Sequence, residues 1–217
     1  MTKQFKLIGL ATLLGLMLAL AGCGSEESST SEENKQTATA DDNTEEVDKE
    51  QKEVEPETSE ETFYADGFKQ DLLTITDNSL ELSQESYDFI VDNYTLFPAK
   101  TEKDIAKAKK KADSSITSKH LNKNAQPYFG KIATFQGTVV SVEEKTLDNG
   151  EVISLTHVYD DNGQSYQVFM YKSTGDILEE DTVRFWGAPV GASSFENVSG
   201  GATNVQNFFG SHVEKVN

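Results

Sequence analysis

Lys131-Ile132-Ala133-Thr134-Phe135-Gln136-Gly137-Thr138-Val139-Val140-Ser141-Val142 is where the chain changes its rhythm. Before it, apolar residues recur every three or four positions. Here they alternate and β-branched side chains take over, the pattern of a half-buried strand. Ala133 and Phe135 share one parity, whereas Val140 and Val142 share the other. A β-bulge near Gly137 reconciles them, because one extra residue turns both sets to the same side.

Working toward the C-terminus, Leu147-Asp148-Asn149-Gly150 is a turn signal, and a strand follows over 152–159. Asp161-Asn162-Gly163 is a second tight turn, before a strand over 165–171. Residues 176–181 form an acidic connector. Residues 182–187 are a fourth strand, with Val183 and Phe185 on one face and Arg184 and Trp186 on the other, and residues 204–216 are a fifth. Five strands with an early bend and a short connector between the third and fourth predict a small Greek-key β-barrel.

Working toward the N-terminus, residues 63–126 read as helical. Tyr87, Ile90, Val91 and Tyr94 fall at i, i+3, i+4 and i+7, with Ser83 placed to cap that helix and Phe97-Pro98 to end it. Thr101-Glu102-Lys103-Asp104 has the form of a capping box, with Asp for the usual Glu or Gln. It opens a second helix whose inner stripe is Ile105, Ala108, Ala112 and Ile116. The fold class expected is therefore α+β.

Residues 131–216 resemble the OB-fold domains of the anticodon-binding-like group found in Firmicute lipoproteins. The likeness is carried by Gly137-Thr138-Val139-Val140-Ser141-Val142, by Asp160-Asp161-Asn162-Gly163-Gln164-Ser165-Tyr166, and by Asp176-Ile177-Leu178-Glu179-Glu180-Asp181 before Val183. The glycine-rich run from Gly191 to Gly201, with Ser194-Phe195-Glu196-Asn197 inside it, belongs to the same likeness. The resemblance implies an OB barrel. It implies no particular ligand, since that barrel hosts many functions.

The first residues carry a different message. Lys3 and Lys6 lead into an apolar run over 7–20, interrupted only by Gly and one Thr, and then Leu20-Ala21-Gly22-Cys23. A positive start, a short apolar core and small residues before the cut compose a secretory signal. The run is shorter than the roughly 20 residues a membrane-spanning helix requires. Leu-Ala-Gly-Cys resembles the lipobox of bacterial lipoproteins, so Cys23 is the expected lipidation site and residues 1–22 the signal peptide. A diacylglycerol on that sulfur supplies the two acyl chains that stable anchoring takes. Cys23 is the chain's only cysteine, so with its thiol consumed no disulfide, thiol catalysis or cysteine-ligated metal is expected.

Residues 24–62 hold 15 acidic and 3 basic side chains and no aromatic. Such a segment cannot bury enough apolar surface to offset its ordering entropy, so residues 23–62 are expected to be a disordered acidic tether, or alternatively an acidic interaction tail. Residues 63–217 carry 22 acidic and 14 basic side chains, a moderately anionic balance. That sign works against nucleic acid as a partner. The one basic cluster is Lys100, Lys103, Lys107, Lys109, Lys110, Lys111, Lys119 and Lys123, readable as a docking strip for anionic polymers or as a solvated helix face.

Chemistry is sparse. His120, His157 and His212 lie in separate segments without metal-ligand spacing, Asp160-Asp161-Asn162-Gly163 lacks the alternation of a calcium loop, and Ser193 and Ser194 sit outside a nucleophile elbow. No catalytic residue, metal or cofactor is therefore assigned. The candidate ligand-binding residues are Trp186, Phe195 and Asn197, on an expected loop over 186–201 between the last two strands, where OB barrels often bind oligonucleotides or oligosaccharides. Trp186, expected to point off the barrel interior, and Phe195 would stack on a sugar or base. The competing reading makes Phe195 a plug in the barrel's open end. The expected partners are the membrane, through the N-terminal lipid, and an envelope protein or wall polymer.

Overall fold

The alternation that begins at Ala133 runs through a 14-residue strand, β1 (Ala133–Thr146). Glycine turns fold it onto β2 (Val152–Tyr159) and β2 onto β3 (Ser165–Met170), with Gly150 and Gly163 both at positive φ. Two long strands follow, β4 (Thr182–Glu196) and β5 (Ala202–Lys215). The computed structural model describes residues 59–197 and 199–216. The expected signal peptide over 1–22, Cys23 and the expected tether as far as residue 58 lie outside the described residues.

The strands close into a ring in the order β1-β2-β3-β5-β4, with β4 returning to β1. Every neighbouring pair is antiparallel except β3 and β5, which run parallel from Ser165↔Val205 to Phe169↔Phe209. Closure leaves the ring without an open edge. With four α-helices before it among the described residues, the class is α+β.

The bulge expected near Gly137 lies at Val140, where the β1–β2 register shifts between Val139 and Ser141. Its effect is only partly the expected one, because Val142 is brought to the side of Ala133 and Phe135 and Val140 is not. Val139 is buried and Val142 packs against the same interior cluster, while Val140 is the residue turned out to solvent. Gly137 answers a different need. A Cβ there would lie 2.4 Å from the Tyr159 carbonyl oxygen, so only glycine admits the close approach of β2.

Both faces of the ring are buried over much of its circumference. Inside, Phe135, Tyr166, Phe185 and Phe208 form one aromatic cluster, with Phe135 and Tyr166 stacked at 4.6 Å. Outside, Phe169, Tyr171, Trp186, Ala188 and Phe209 belong to a second cluster with helix side chains. Those come from α1 (Phe63–Ile75), α2 (Gln84–Asp92) and α3 (Glu102–Lys111). Phe209 lies between Phe68, stacked at 4.2 Å, and Phe97 at 5.6 Å. A strand buried on both faces reads as a continuous apolar run rather than an alternation, which is why Phe208-Phe209 and Phe185-Trp186 stand as adjacent pairs.

Helix signals hold at their starts. Ser83 Oγ accepts from Ser86 N at 3.1 Å, and Thr101 Oγ1 accepts from Asp104 N at 3.2 Å. The stripe assigned to the second helix is cut short, because α3 ends at Lys111. Ala108 is buried on it, but Ile116 lies beyond it and joins the interior cluster of the ring. A further short helix, α4 (Ser118–Lys123), adds Leu121 to that interior cluster and is followed by a 3-10 turn, Gln126–Tyr128. Among the described residues no helix is long and apolar enough to cross a membrane.

Candidate functional site

The stretch read as a loop over 186–201 is a correction. It is the outer half of a β-hairpin, with β4 and β5 paired from Val183↔Lys215 to Glu196↔Ala202 and only residues 197–201 left to turn. The glycines and serines that suggested a loop instead mark a bend. The register shifts between Pro189 and Gly191, and Gly191 adopts φ 133°, with Leu80 against it. Past that point the two strands project as an arm beyond the start of β3, whose pairing with β5 begins only at Val205.

Trp186, Phe195 and Asn197 are not brought together. Trp186 and Phe195 are nine residues apart on one strand, on the order of 30 Å if extended. Trp186 does point off the ring interior, as its parity demands, yet α3 covers it and only 6% of it is exposed. Lys109 Nζ stands 4.7 Å from its ring centre and the His212 ring stacks beside it at 5.8 Å. Phe195 is half-buried on the arm and meets His157 of β2 edge-on at 5.6 Å. It does not belong to the interior cluster, so it is not a plug either. Asn197 holds the turn: its Oδ1 accepts from Ser199 N and Gly201 N, each at 3.1 Å, and its Nδ2 donates to Thr203 Oγ1 at 3.3 Å.

The Asp160 turn is similarly committed. Asp160 Oδ1 accepts from Asn162 N and Gln164 N, both at 2.9 Å, and Oδ2 accepts from the Tyr166 hydroxyl at 2.8 Å. Burial, then that hydrogen bond, pushes the Tyr166 hydroxyl well above its ordinary range. The lysine cluster is divided. Lys109 pairs with Glu214, Lys111 donates to Asn93 Oδ1, and Lys100 donates to the Tyr64 hydroxyl and lies 3.5 Å from Glu151. Lys103, Lys107, Lys110, Lys119 and Lys123 are exposed. His120 closes a capping box with Thr117, and burial holds His157 and His212 below their ordinary value, the Glu214 carboxylate opposing it at His212.

A cleft of about 820 Å³ opens where the arm leaves the ring. Residues 192–194 of β4 and 202–206 of β5 line it, facing Tyr159, the Gly163-Gln164-Ser165 turn, Leu121 and Asn122 of α4, and Ser79. Its polar groups are linked. Gln206 Nε2 donates to Asn122 Oδ1 at 2.8 Å, Asn122 Nδ2 donates to Gln164 Oε1 at 2.7 Å, and Gln164 Nε2 donates to the Ser165 carbonyl at 3.0 Å. Among the described residues that line it, none is Asp, Glu, Lys, Arg or His. Part of the stretch singled out from sequence thus reaches this cleft, through Ser193 and Ser194, but its aromatic residues do not. Asn122, Gln164, Asn204 and Gln206 carry no motif, since isolated amides at element ends look like ordinary turn chemistry.

No protein-family model matches the chain, and no curated protein matches it either.

Proposed function

We propose that the chain is a bacterial lipoprotein of the cell membrane, anchored through Cys23 on the extracytoplasmic face, whose folded part is an OB-like binding module and not an enzyme. The observation that carries the anchoring is Leu20-Ala21-Gly22-Cys23 directly after a 14-residue apolar run that is too short to span a bilayer. In this reading residues 24–62, with their acidic and aromatic-free composition, space the module from the membrane.

Two structural features support the module. The strand order β1-β2-β3-β5-β4 with a parallel β3–β5 pair is the one an OB-like reading calls for, and the cleft beneath the β4–β5 arm offers hydrogen-bonding groups without charged ones. An uncharged lining, with Tyr159 its one titratable group among the described residues, supports recognition over acid–base chemistry. The test is the mass of the native N-terminus. A diacylglyceryl-modified Cys23 in the membrane fraction, and release of Cys23→Ala into the soluble fraction or retention of its signal, are the expected results. An unmodified Cys23 on a membrane-free protein contradicts the proposal.

A further inference from the structure

Uncharged surroundings are unusual on this chain, which has 37 acidic and 19 basic side chains among 217 residues. The cleft beneath the β4–β5 arm has them throughout. Its lining is amides (Asn122, Gln164, Asn204 and Gln206), the hydroxyls of Ser79, Ser165, Ser193, Ser194 and Thr203, and small apolar surface from Leu121, Ala192 and Val205. Beside these stands Tyr159, an aromatic ring 48% exposed that no interior contact requires.

Three of these amides, Asn122, Gln164 and Gln206, are oriented before any ligand arrives. The relay from Gln206 through Asn122 and Gln164 to the Ser165 carbonyl fixes each side chain by its neighbour. Asn207 Nδ2 donates to Ser193 Oγ at 2.9 Å, so the serine accepts there and keeps its own proton to donate elsewhere. At the inner end Gln206 is 96% buried, and its Oε1 has no hydrogen-bond partner. A buried polar atom left unpaired carries a desolvation cost, and such exceptions need a reason.

We infer that this cleft binds a neutral oligosaccharide. The inference rests on the binding-module reading and names the ligand class for it. Sugar hydroxyls donate and accept at once, as amides and serines do, so a lining of such groups satisfies them without a formal charge. The flat C–H face of a pyranose matches an exposed aromatic ring such as Tyr159, whose π face carries partial negative charge. Ionic polymers are disfavoured by the same lining, because a phosphate or carboxylate backbone calls for lysine or arginine to replace its counterions. The volume, about 820 Å³, lies in the range of small-ligand sites, and the cleft is open on one side as a chain-like ligand requires.

The test is saturation-transfer NMR on the full lipid-bearing chain, in a detergent without a sugar headgroup. The probes are hexamers of β-1,4-linked N-acetylglucosamine, of α-1,4-linked glucose and of β-1,3-linked glucose, with poly(glycerol phosphate) as the anionic comparison. At least one neutral hexamer is expected to bind, with a Kd that stays within about twofold as sodium chloride rises about tenfold. Tyr159→Ala and Gln164→Ala are each expected to weaken that binding about tenfold, the size of one lost stacking or hydrogen-bond contact. Thermal midpoints of both variants verify folding. Because Asn204 is exposed, Asn204→Lys supplies a second variant that keeps the fold and places a charge in the cleft. It is expected to weaken the neutral hexamer and admit poly(glycerol phosphate). Failure of all three hexamers, binding indifferent to Tyr159 and Gln164, or salt-sensitive binding of the polyanion alone each overturns the inference. The N-terminal mass of the same preparation keeps the two readings apart: a lipidated Cys23 with no bound hexamer defeats this inference and leaves the anchor standing.

Discussion

The β4–β5 ladder has two halves built on different terms. From Val183 to Val190 on β4, and from Val205 to Ser211 on β5, nearly every residue is buried whichever way it points. Inward residues meet the ring's aromatic cluster and outward ones meet α1, α2 and α3. Beyond Gly191 the same two strands alternate between exposed and half-buried positions, and the arm leans on β2 mainly through Phe195 and His157. One pair of strands thus passes from doubly covered core to free hairpin within a few residues. The covered half can supply stability. The free half is available for recognition, because its backbone is paired while several of its side chains, Ser194 and Asn204 among them, stand exposed.

The widest gap between the halves should come from Phe209, which is fully buried between Phe68 and Phe97. Phe209→Ala is expected to lower unfolding free energy by about 3–5 kcal/mol, measured by denaturant melts. Trp186→Ala is expected to cost roughly 3 kcal/mol or more, since it removes the ring that lies under Lys109 and beside His212. Phe195→Ala, on the same strand, is expected to cost about 1 kcal/mol or less, the worth of one half-buried edge-on aromatic contact. Equal losses for Trp186→Ala and Phe195→Ala would erase the distinction between body and arm.

Trp186 also shows where sequence was legible and where it was not. Its parity against Val183 and Phe185 is plain along the strand, and its outward direction follows from that alone. Whether outward means solvent depends on the helices, which lie 75 residues or more upstream, and strand alternation carries no information about what covers a face. The same reason explains Val139 and Val140. The conflict of Val140 and Val142 with the parity of Ala133 and Phe135 is visible and requires a bulge, but the bulge site is fixed by the pairing of Val139 with the 176–181 connector, where Val139 N donates to the Asp181 carbonyl and Glu180 N donates to the Val139 carbonyl. Local turns were fully legible, because Gly150 and Gly163 need positive φ and say so by residue type. The cleft was not, since Asn122, Gln164 and Gln206 are gathered from α4, a turn and β5 by ring closure. The continuous hairpin over 186–201 was hidden by its composition, as glycine, serine and alanine are poor strand formers whose pairing here is imposed by the partner strand.

A smaller effect should separate the halves by pH. Burial holds His157, under the arm, and His212, in the body, below the ordinary value of 6.5. The unfolded chain therefore takes up protons before the folded one, so stability is full above about 6.5 and declines as pH falls below it. His157→Gln and His212→Gln are each expected to flatten the fall in thermal midpoint between about pH 7 and about pH 5. A midpoint that rises on acidification over that interval would contradict both assignments. At the least sensitive end, Leu178→Ser is expected to change stability by no more than about 0.5 kcal/mol, because its side chain is already in water.

The division between body and arm is tested most directly by amide hydrogen exchange on the full chain. The account predicts that amides of Val183, Phe185, Phe208 and Phe209 exchange only through global unfolding, and that those of Ser193, Phe195, Thr203 and Asn204 exchange faster through local opening of the hairpin. Protection of the arm equal to that of the body would contradict it, because the hairpin would then be core and the cleft beneath it would have no adaptable wall.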